Sequence, residues 1–200
     1  MSILLDSPPS KHRRTPLSSR LFTAADLAAM PKELPSGPVK YELDDGVLVA
    51  MSPPGYFHSR RQNRAATRLE LLCENCGLGI ACSQVAIVLR RNPDRVVGAD
   101  AAFILAKSLP VALTPEGYLE TIPELVVEVR SKNDTDAEVA GKTAEYLAAG
   151  VEVVWNIDGF RRVVASHCAD GSVAITKYDE MLTCPILPGF AVPVAELFPD

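Results

Sequence analysis

Leu125-Val126-Val127-Glu128-Val129 is a run of strand formers with an acid set inside it. A carboxylate in such a run is costly to bury unless a metal or a cation neutralises it. The same interruption occurs upstream, where Asp100 divides the apolar stretch Val96 to Leu105. Two apolar strands with one acid each predict a buried sheet carrying a two-carboxylate, divalent-metal site. Lys142 lies on the helix expected directly after the second strand. The plainer alternative for Asp100 is a structural ion pair with Arg130 or Lys142.

With 200 residues the chain fits one domain, here 21–200, behind a flexible tail at 1–20. An apolar share of 48% supplies a real core. No apolar run approaches the roughly 18 residues that span a bilayer, so no membrane partner is expected. Met1 to Arg20 lacks the apolar segment of a secretory signal, and a cytoplasmic location follows as the default. The formal net charge of -5 argues against a protein held on nucleic acid by charge alone. It leaves room for an enzyme that touches DNA briefly and relies on metal to screen its acids. The five cysteines, Cys73, Cys76, Cys82, Cys168 and Cys184, are an odd number without a signal peptide, which argues against a disulfide framework. Cys73 and Cys76 form a single C-x-x-C with no second pair at zinc-finger spacing, so small residues at a helix end are the simpler reading.

Lys11-His12-Arg13-Arg14 is a basic cluster in the tail, read as solvated. Thr23 caps a short helix from Ala24 to Met30. Pro31, Pro35, Gly37 and Pro38 make a linker. Val39–Leu43 and Val47–Met51 form a hairpin around Asp44-Asp45-Gly46. A long helix is expected from Phe57 to Asn75, with His58, Gln62, Ala65, Leu69 and Leu72 on one face and Arg60, Arg64 and Arg68 on another. Strands follow at Ile80–Arg90 and Val96–Leu105, then an irregular connection from Lys107 to Glu120 and the strand Leu125–Arg130. The capping box Thr135-x-x-Glu138 starts a helix that runs to Ala149 and stops at Gly150. On it Thr135, Glu138, Lys142 and Tyr146 share a polar stripe, while Val139, Ala144 and Leu147 face the core. A strand at Val151–Ile157 and a hairpin of Arg162–His167 with Val173–Tyr178 come next. This order points to a mixed sheet in an α/β or α+β fold.

Several motifs in sequence resemble one family. Tyr41-Glu42-Leu43-x-Asp45-Gly46-x-Leu48 and Met51-Ser52-Pro53-Pro54-Gly55 with His58 look like its opening. Gly117-Tyr118-Leu119-Glu120 and Pro123-Glu124-Leu125-Val126-Val127-Glu128-Val129 look like its centre. Asp134-Thr135, Glu138-Val139, Lys142 and Glu145 to Val151 continue it, and Trp155, Asp158, Leu187-Pro188-Gly189-Phe190 and Leu197-Phe198 complete it. These resemble the Uma-family putative restriction endonucleases of the PD-(D/E)XK nuclease superfamily, over roughly residues 21 to 199. The resemblance implies a restriction-endonuclease-like core: a mixed central sheet flanked by helices, with additional β-hairpins. It implies DNA as partner, a metal-dependent endonuclease activity, Asp100 in the place of the superfamily Asp, and Glu128 in the place of the (D/E). Position 130 departs from the pattern, being Arg where Lys is named. An arginine keeps the charge but cannot act as a base. Lys142 matches a lysine common in the family and supplies an amine from another backbone position.

Phosphodiester cleavage needs a nucleophilic water and stabilisation of charge on phosphate oxygens. Mg²⁺ or Mn²⁺ supplies both and is commonly held by one or two carboxylates plus water and phosphate. Asp100 and Glu128 suit that sparse arrangement, with a backbone carbonyl near Val129 as a third ligand. Lys142 would orient the water and Arg130 would clamp a phosphate oxygen. His58 is open between a core histidine and a substrate contact, and Glu42 reads as a support residue. The Arg60, Arg64, Arg68 stripe either faces a nucleic-acid backbone or is a solvated helix face laced to nearby acids; Arg90, Arg91 and Arg95 flank the strand turn. One rival is a catalytically silent nuclease fold that binds nucleic acid or a protein. A second is a structural homo-oligomer, for which a homodimer is the simplest form.

Overall fold

The computed structural model describes residues 20–35, 37–110 and 117–198. The tail at 1–19, with Lys11 to Arg14, lies outside them, as does 111–116 of the irregular connection. Helix α1, Ala24–Ala28, starts on a capping box in which Thr23 and Asp26 satisfy each other's backbone. The short β1, Glu33–Leu34, and β2, Gly37–Pro38, pair with each other. Then β3, Lys40–Asp44, and β4, Val47–Met51, form the expected hairpin. Its turn residues Asp45 and Gly46 have φ of 52° and 77°. Both are left-handed, as a two-residue hairpin turn requires. A Cβ at Gly46 would also meet that of Leu21 at 2.8 Å.

Helix α2 runs from Tyr56 to Leu69 and passes into a π-helical turn, Glu70–Glu74. That turn corrects the expected apolar face. The wider spiral brings Cys73 under Leu69 and into the core, leaving Leu72 exposed. The long strands β5, Gly79–Arg90, and β6, Arg95–Leu105, follow as an antiparallel pair. Next come β7, Leu125–Val129, and α3, Asp136–Ala149, which opens on the Thr135/Glu138 capping box and closes at Gly150 with φ 108°. Helix α3 buries Thr143 and Tyr146. Ala144, expected in the core, lies about 100° round the helix from Thr143 and faces solvent. The chain ends with β8, Val153–Asp158; β9, Val163–Cys168; β10, Val173–Lys177; and the small hairpin of β11, Met181–Thr183, with β12, Ala191–Pro193.

One eight-stranded sheet carries the molecule, in the order β10-β9-β8-β7-β6-β3-β4, with β5 also on β6. Among the strands described, β7 and β8, joined through α3, are the parallel pair, so the sheet is mixed and the architecture is α+β in character. On one face, Ala65, Leu69 and Cys73 meet Trp155 and the C-terminal Leu187, Phe190 and Phe198. On the other, Tyr146 of α3 covers Val126, Val154 and Val97. No helix among the described residues is long and apolar enough to cross a membrane.

Candidate active site

Strand β6 changes partners along its length. Ala101 to Phe103 pair with β7, whereas Val96 pairs with Leu43 of β3. The fork between β3 and β7 leaves Gly98 without a strand partner on that edge, and its peptide groups must be satisfied otherwise. Two side chains do this. The Gly98 N–H donates to Glu42 Oε1 at 2.9 Å, and Lys142 Nζ donates to the Gly98 carbonyl at 3.1 Å. Glu42 thus holds the open edge of β6 at Gly98.

Asp100 stands two residues past Gly98, where the β5/β6 ladder skips the Gln84/Asp100 pair. Gln84 has φ 51°, and strict side-chain alternation breaks here. Val97 and Ala99 belong to the core under α3, while Ala101 and Phe103 belong to the core under α2. The irregularity frees Asp100 to turn toward the end of β7, where the Val129 N–H donates to its Oδ2 at 2.8 Å. His58 Nε2, from the first turn of α2, lies 3.3 Å from the same oxygen. Burial lowers the affinity of His58 for a proton, but the hydrogen bond and charge of Asp100 outweigh it and raise the pKa. The other ring nitrogen, Nδ1, is buried and has no hydrogen-bond partner among the described residues.

Continuing the β6/β7 register by one step sets Asp100 opposite Glu128. Both carboxylates line one cleft of about 900 Å³. Glu128 accepts from Lys142 Nζ at 3.0 Å and from the Tyr146 hydroxyl at 2.6 Å. Burial pushes the Glu128 carboxyl up to about 7, Asp100 adds to the rise, and Lys142 and Tyr146 oppose it. Burial disfavours the Lys142 ammonium, yet Glu128, Glu42 and Asp100 together raise its pKa. The ammonium thus stays charged, and Glu128 is the member of the pair that titrates near neutrality. The Tyr146 hydroxyl, buried beside that carboxylate, is raised well above its ordinary value and remains a donor.

The sequence profile of the Uma2 family, described as a putative restriction endonuclease, matches residues 25–195. The chain belongs to the Uma2 family. A crystal structure of a putative nuclease of the DUF820 group from Anabaena variabilis has the same fold, with a TM-score of 0.71. The likeness covers 88% of this chain and 97% of that one at 15% identity, which speaks for the fold alone. A comparison with curated proteins found no match.

In this Uma2 chain Asp100, Glu128, Lys142 and His58 come together at the fork, Arg130 lines the same cleft, and Arg60, Arg64 and Arg68 stand apart. Arg130 turns to the rim of the cleft. It donates to the Asp134 carbonyl at 2.9 Å, bonds Asp136, and lies 3.4 Å from the buried carboxylate of Asp158. Arg161 shares both acids, Asp158 at 3.1 Å and Asp136 at 3.2 Å. The β7–α3 loop is thereby clasped to the end of β8. Arg68 lies 2.5 Å from the Glu196 carboxylate, and Arg64 donates to the Glu196 carbonyl at 3.3 Å. Those two arginines tie α2 to the C-terminal turn, and Arg60 of the same stripe is exposed. Arg91 and Arg95 likewise reach acids, Asp94 at 2.8 Å and Glu145 at 2.6 Å. Glu124, the first acid of the central motif, points away from the cleft and accepts from the Leu105 N–H at 2.9 Å and from Ser108. Cys73 is buried and Cys76 exposed, and all five cysteines are free thiols. Among the described residues, no three His, Cys, Asp or Glu side chains form a ready metal cluster.

Sequence reasoning put Tyr146 on the polar stripe of α3 but did not find its bond to Glu128. The available signal was its position four residues after Lys142, which places both side chains on one helix face.

Proposed function

We propose that this protein is a divalent-metal-dependent endonuclease that hydrolyses DNA phosphodiester bonds, with Asp100 and Glu128 as the metal-binding carboxylates. The observation that carries the reading is the meeting of these two acids with a half-buried ammonium in a single cleft of a Uma2-family fold. Restriction-endonuclease-like families generally use divalent metals. The donor set fits such an ion: two carboxylates on neighbouring strands provide hard oxygen ligands, and a hydrated ion needs no third side chain. The raised Glu128 marks a place where added positive charge is favourable. When bound, Mg²⁺ or Mn²⁺ supplies Lewis acidity and a water of lowered pKa.

The chain's own residues complete the site. Asp100 is oriented by the Val129 N–H and by His58. Lys142, anchored on the Gly98 carbonyl, holds a positive charge beside Glu128 and would stabilise charge developing on the phosphate. Tyr146 fixes the Glu128 rotamer from below. Arg130, engaged by carboxylates at the rim, positions the loop after β7 rather than the scissile phosphate.

A second reading, a catalytically silent fold that binds nucleic acid or a protein, is favoured by one feature: the Glu128 carboxylate is already occupied by Lys142 and Tyr146. Titration of Mg²⁺ and Mn²⁺ against plasmid and single-stranded DNA, wild type beside Glu128→Gln, separates the two. Metal-dependent cleavage lost in the variant supports the enzyme. Absence of cleavage and of metal binding in the wild type supports the silent fold.

A further inference from the structure

Resting on the nuclease reading, we infer that the substrate engaged at this cleft is single-stranded or locally unpaired nucleic acid, whose bases stack on exposed aromatic rings at the cleft mouth. The cleft wall runs through Pro53, Pro54 and Gly55 to the start of α2. There Tyr56 and Phe57 stand 72% and 51% exposed, immediately before His58, which reaches Asp100. Their rings meet edge to face, 5.2 Å apart and inclined at 72°, so flat ring surface remains open to solvent. Phe160 is 67% exposed on the β8–β9 turn, next to Gly159. Arg61 links the two segments: its guanidinium lies 5.6 Å from the Phe57 ring centroid and packs against Gly159, the neighbour of Phe160.

Large aromatics at a surface cost free energy unless something covers them, and bases are flat, apolar-faced partners available only when unstacked. The electrostatics select the same partner. A duplex presents its phosphates and hides its base faces, so its binding depends on uncompensated cations. Here several arginines near the cleft and along α2 are already engaged: Arg68 by the Glu196 carboxylate, Arg64 by the Glu196 backbone carbonyl, and Arg130 and Arg161 by Asp136 and Asp158. The net charge is -5. What this surface offers beside the carboxylates is ring faces. The contiguity of the patch with the cleft favours a nucleic acid over a second protein chain, for which nothing ties the rings to Asp100.

The test is fluorescence anisotropy in EDTA with a labelled oligo(dT) of about 20 nucleotides and a duplex of the same length. Wild type is compared with Tyr56→Ala, Phe160→Ala and Tyr56→Phe, each checked for fold by circular dichroism. The single strand is expected to bind more tightly than the duplex. Each alanine variant should weaken it by about 5- to 100-fold, and Tyr56→Phe should retain it. Equal or tighter duplex binding, alanine variants that bind as wild type, or no binding of either probe overturns the inference. So does a dimer, seen by sedimentation, that the alanine variants abolish while oligo(dT) binding is unchanged. The nuclease reading is judged separately, by Mn²⁺-dependent cleavage of plasmid and circular single-stranded DNA with the same wild-type preparation.

Discussion

Replacing Glu128 by Gln should make the metal-free protein more stable at pH 8 and leave it nearly unchanged at pH 5. Glu128 titrates near 4.5 when unfolded and at about 7 in the fold. A carboxyl raised on folding contributes stability that is fully present below pH 4.5 and is lost as the pH rises through about 7. Raising the carboxyl from 4.5 to about 7 corresponds to about 3 kcal/mol, at about 1.4 kcal/mol for each tenfold change in acidity. The side chain is 16% exposed, so solvent screening removes little of this. In the glutamine variant no charge develops, and Lys142 meets the same neutral neighbour that it meets when Glu128 is protonated. The stability difference between variant and wild type should therefore open by about 2–3 kcal/mol between pH 5 and pH 8. That is a relative rise in Tm of about 4–12 °C for a chain of this length. Urea denaturation in EDTA at pH 5, 6, 7 and 8 measures it. Parallel pH profiles for the two proteins would refute the assignment of Glu128 as the group that titrates in the fold.

The other predictions follow the same contacts. Lys142→Met should abolish cleavage and move the pH midpoint for Mn²⁺ binding upward, because the cation that holds Glu128 down is gone; calorimetry across pH reads this. Tyr146→Phe should cost about 1–2 kcal/mol in urea denaturation and raise Glu128 further, with Mn²⁺ binding retained above pH 8. Arg130→Ala should lower stability by about 1–2 kcal/mol, since the Asp134 carbonyl loses its donor while Asp158 keeps Arg161 and the Phe160 and Arg161 N–H groups, yet leave Mn²⁺ affinity unchanged in calorimetry. A tenfold loss of metal affinity there would return Arg130 to the site. Removal of divalent metal by EDTA should stop cleavage completely, and Mn²⁺ should restore it, as followed on agarose gels.

That Asp100 and Glu128, the carboxylates of the candidate site, belong together was legible in the sequence because each is a charge inside an otherwise apolar strand, a local anomaly visible within five residues. Lys142 was legible as the nearest amine on the connecting helix. The central sheet and the α3 boundaries followed from strand composition, the capping box and Gly150. What stayed hidden depends on distant partners. Nothing near Arg130 in sequence indicates that Asp158, 28 residues on, will hold it. Arg64 and Arg68 resemble a free basic stripe until Glu196 folds back across α2. The π-helical turn that moved Cys73 into the core, and the skipped pair at Gln84 and Asp100, are backbone irregularities imposed by packing, with no composition signal of their own. Glu124 and Glu128 sit in one motif and look alike in sequence; only the sheet decides that one caps a strand end and the other enters the cleft.

The central claim is that Asp100 and Glu128 hold one divalent ion. Anomalous diffraction from crystals soaked in Mn²⁺ tests it most directly. The account predicts a single strong peak in the cleft, at about 2.1–2.2 Å from an oxygen of each carboxylate, with Lys142 still on the Gly98 carbonyl. A well-ordered cleft with no peak, or a peak that touches neither acid, would contradict it.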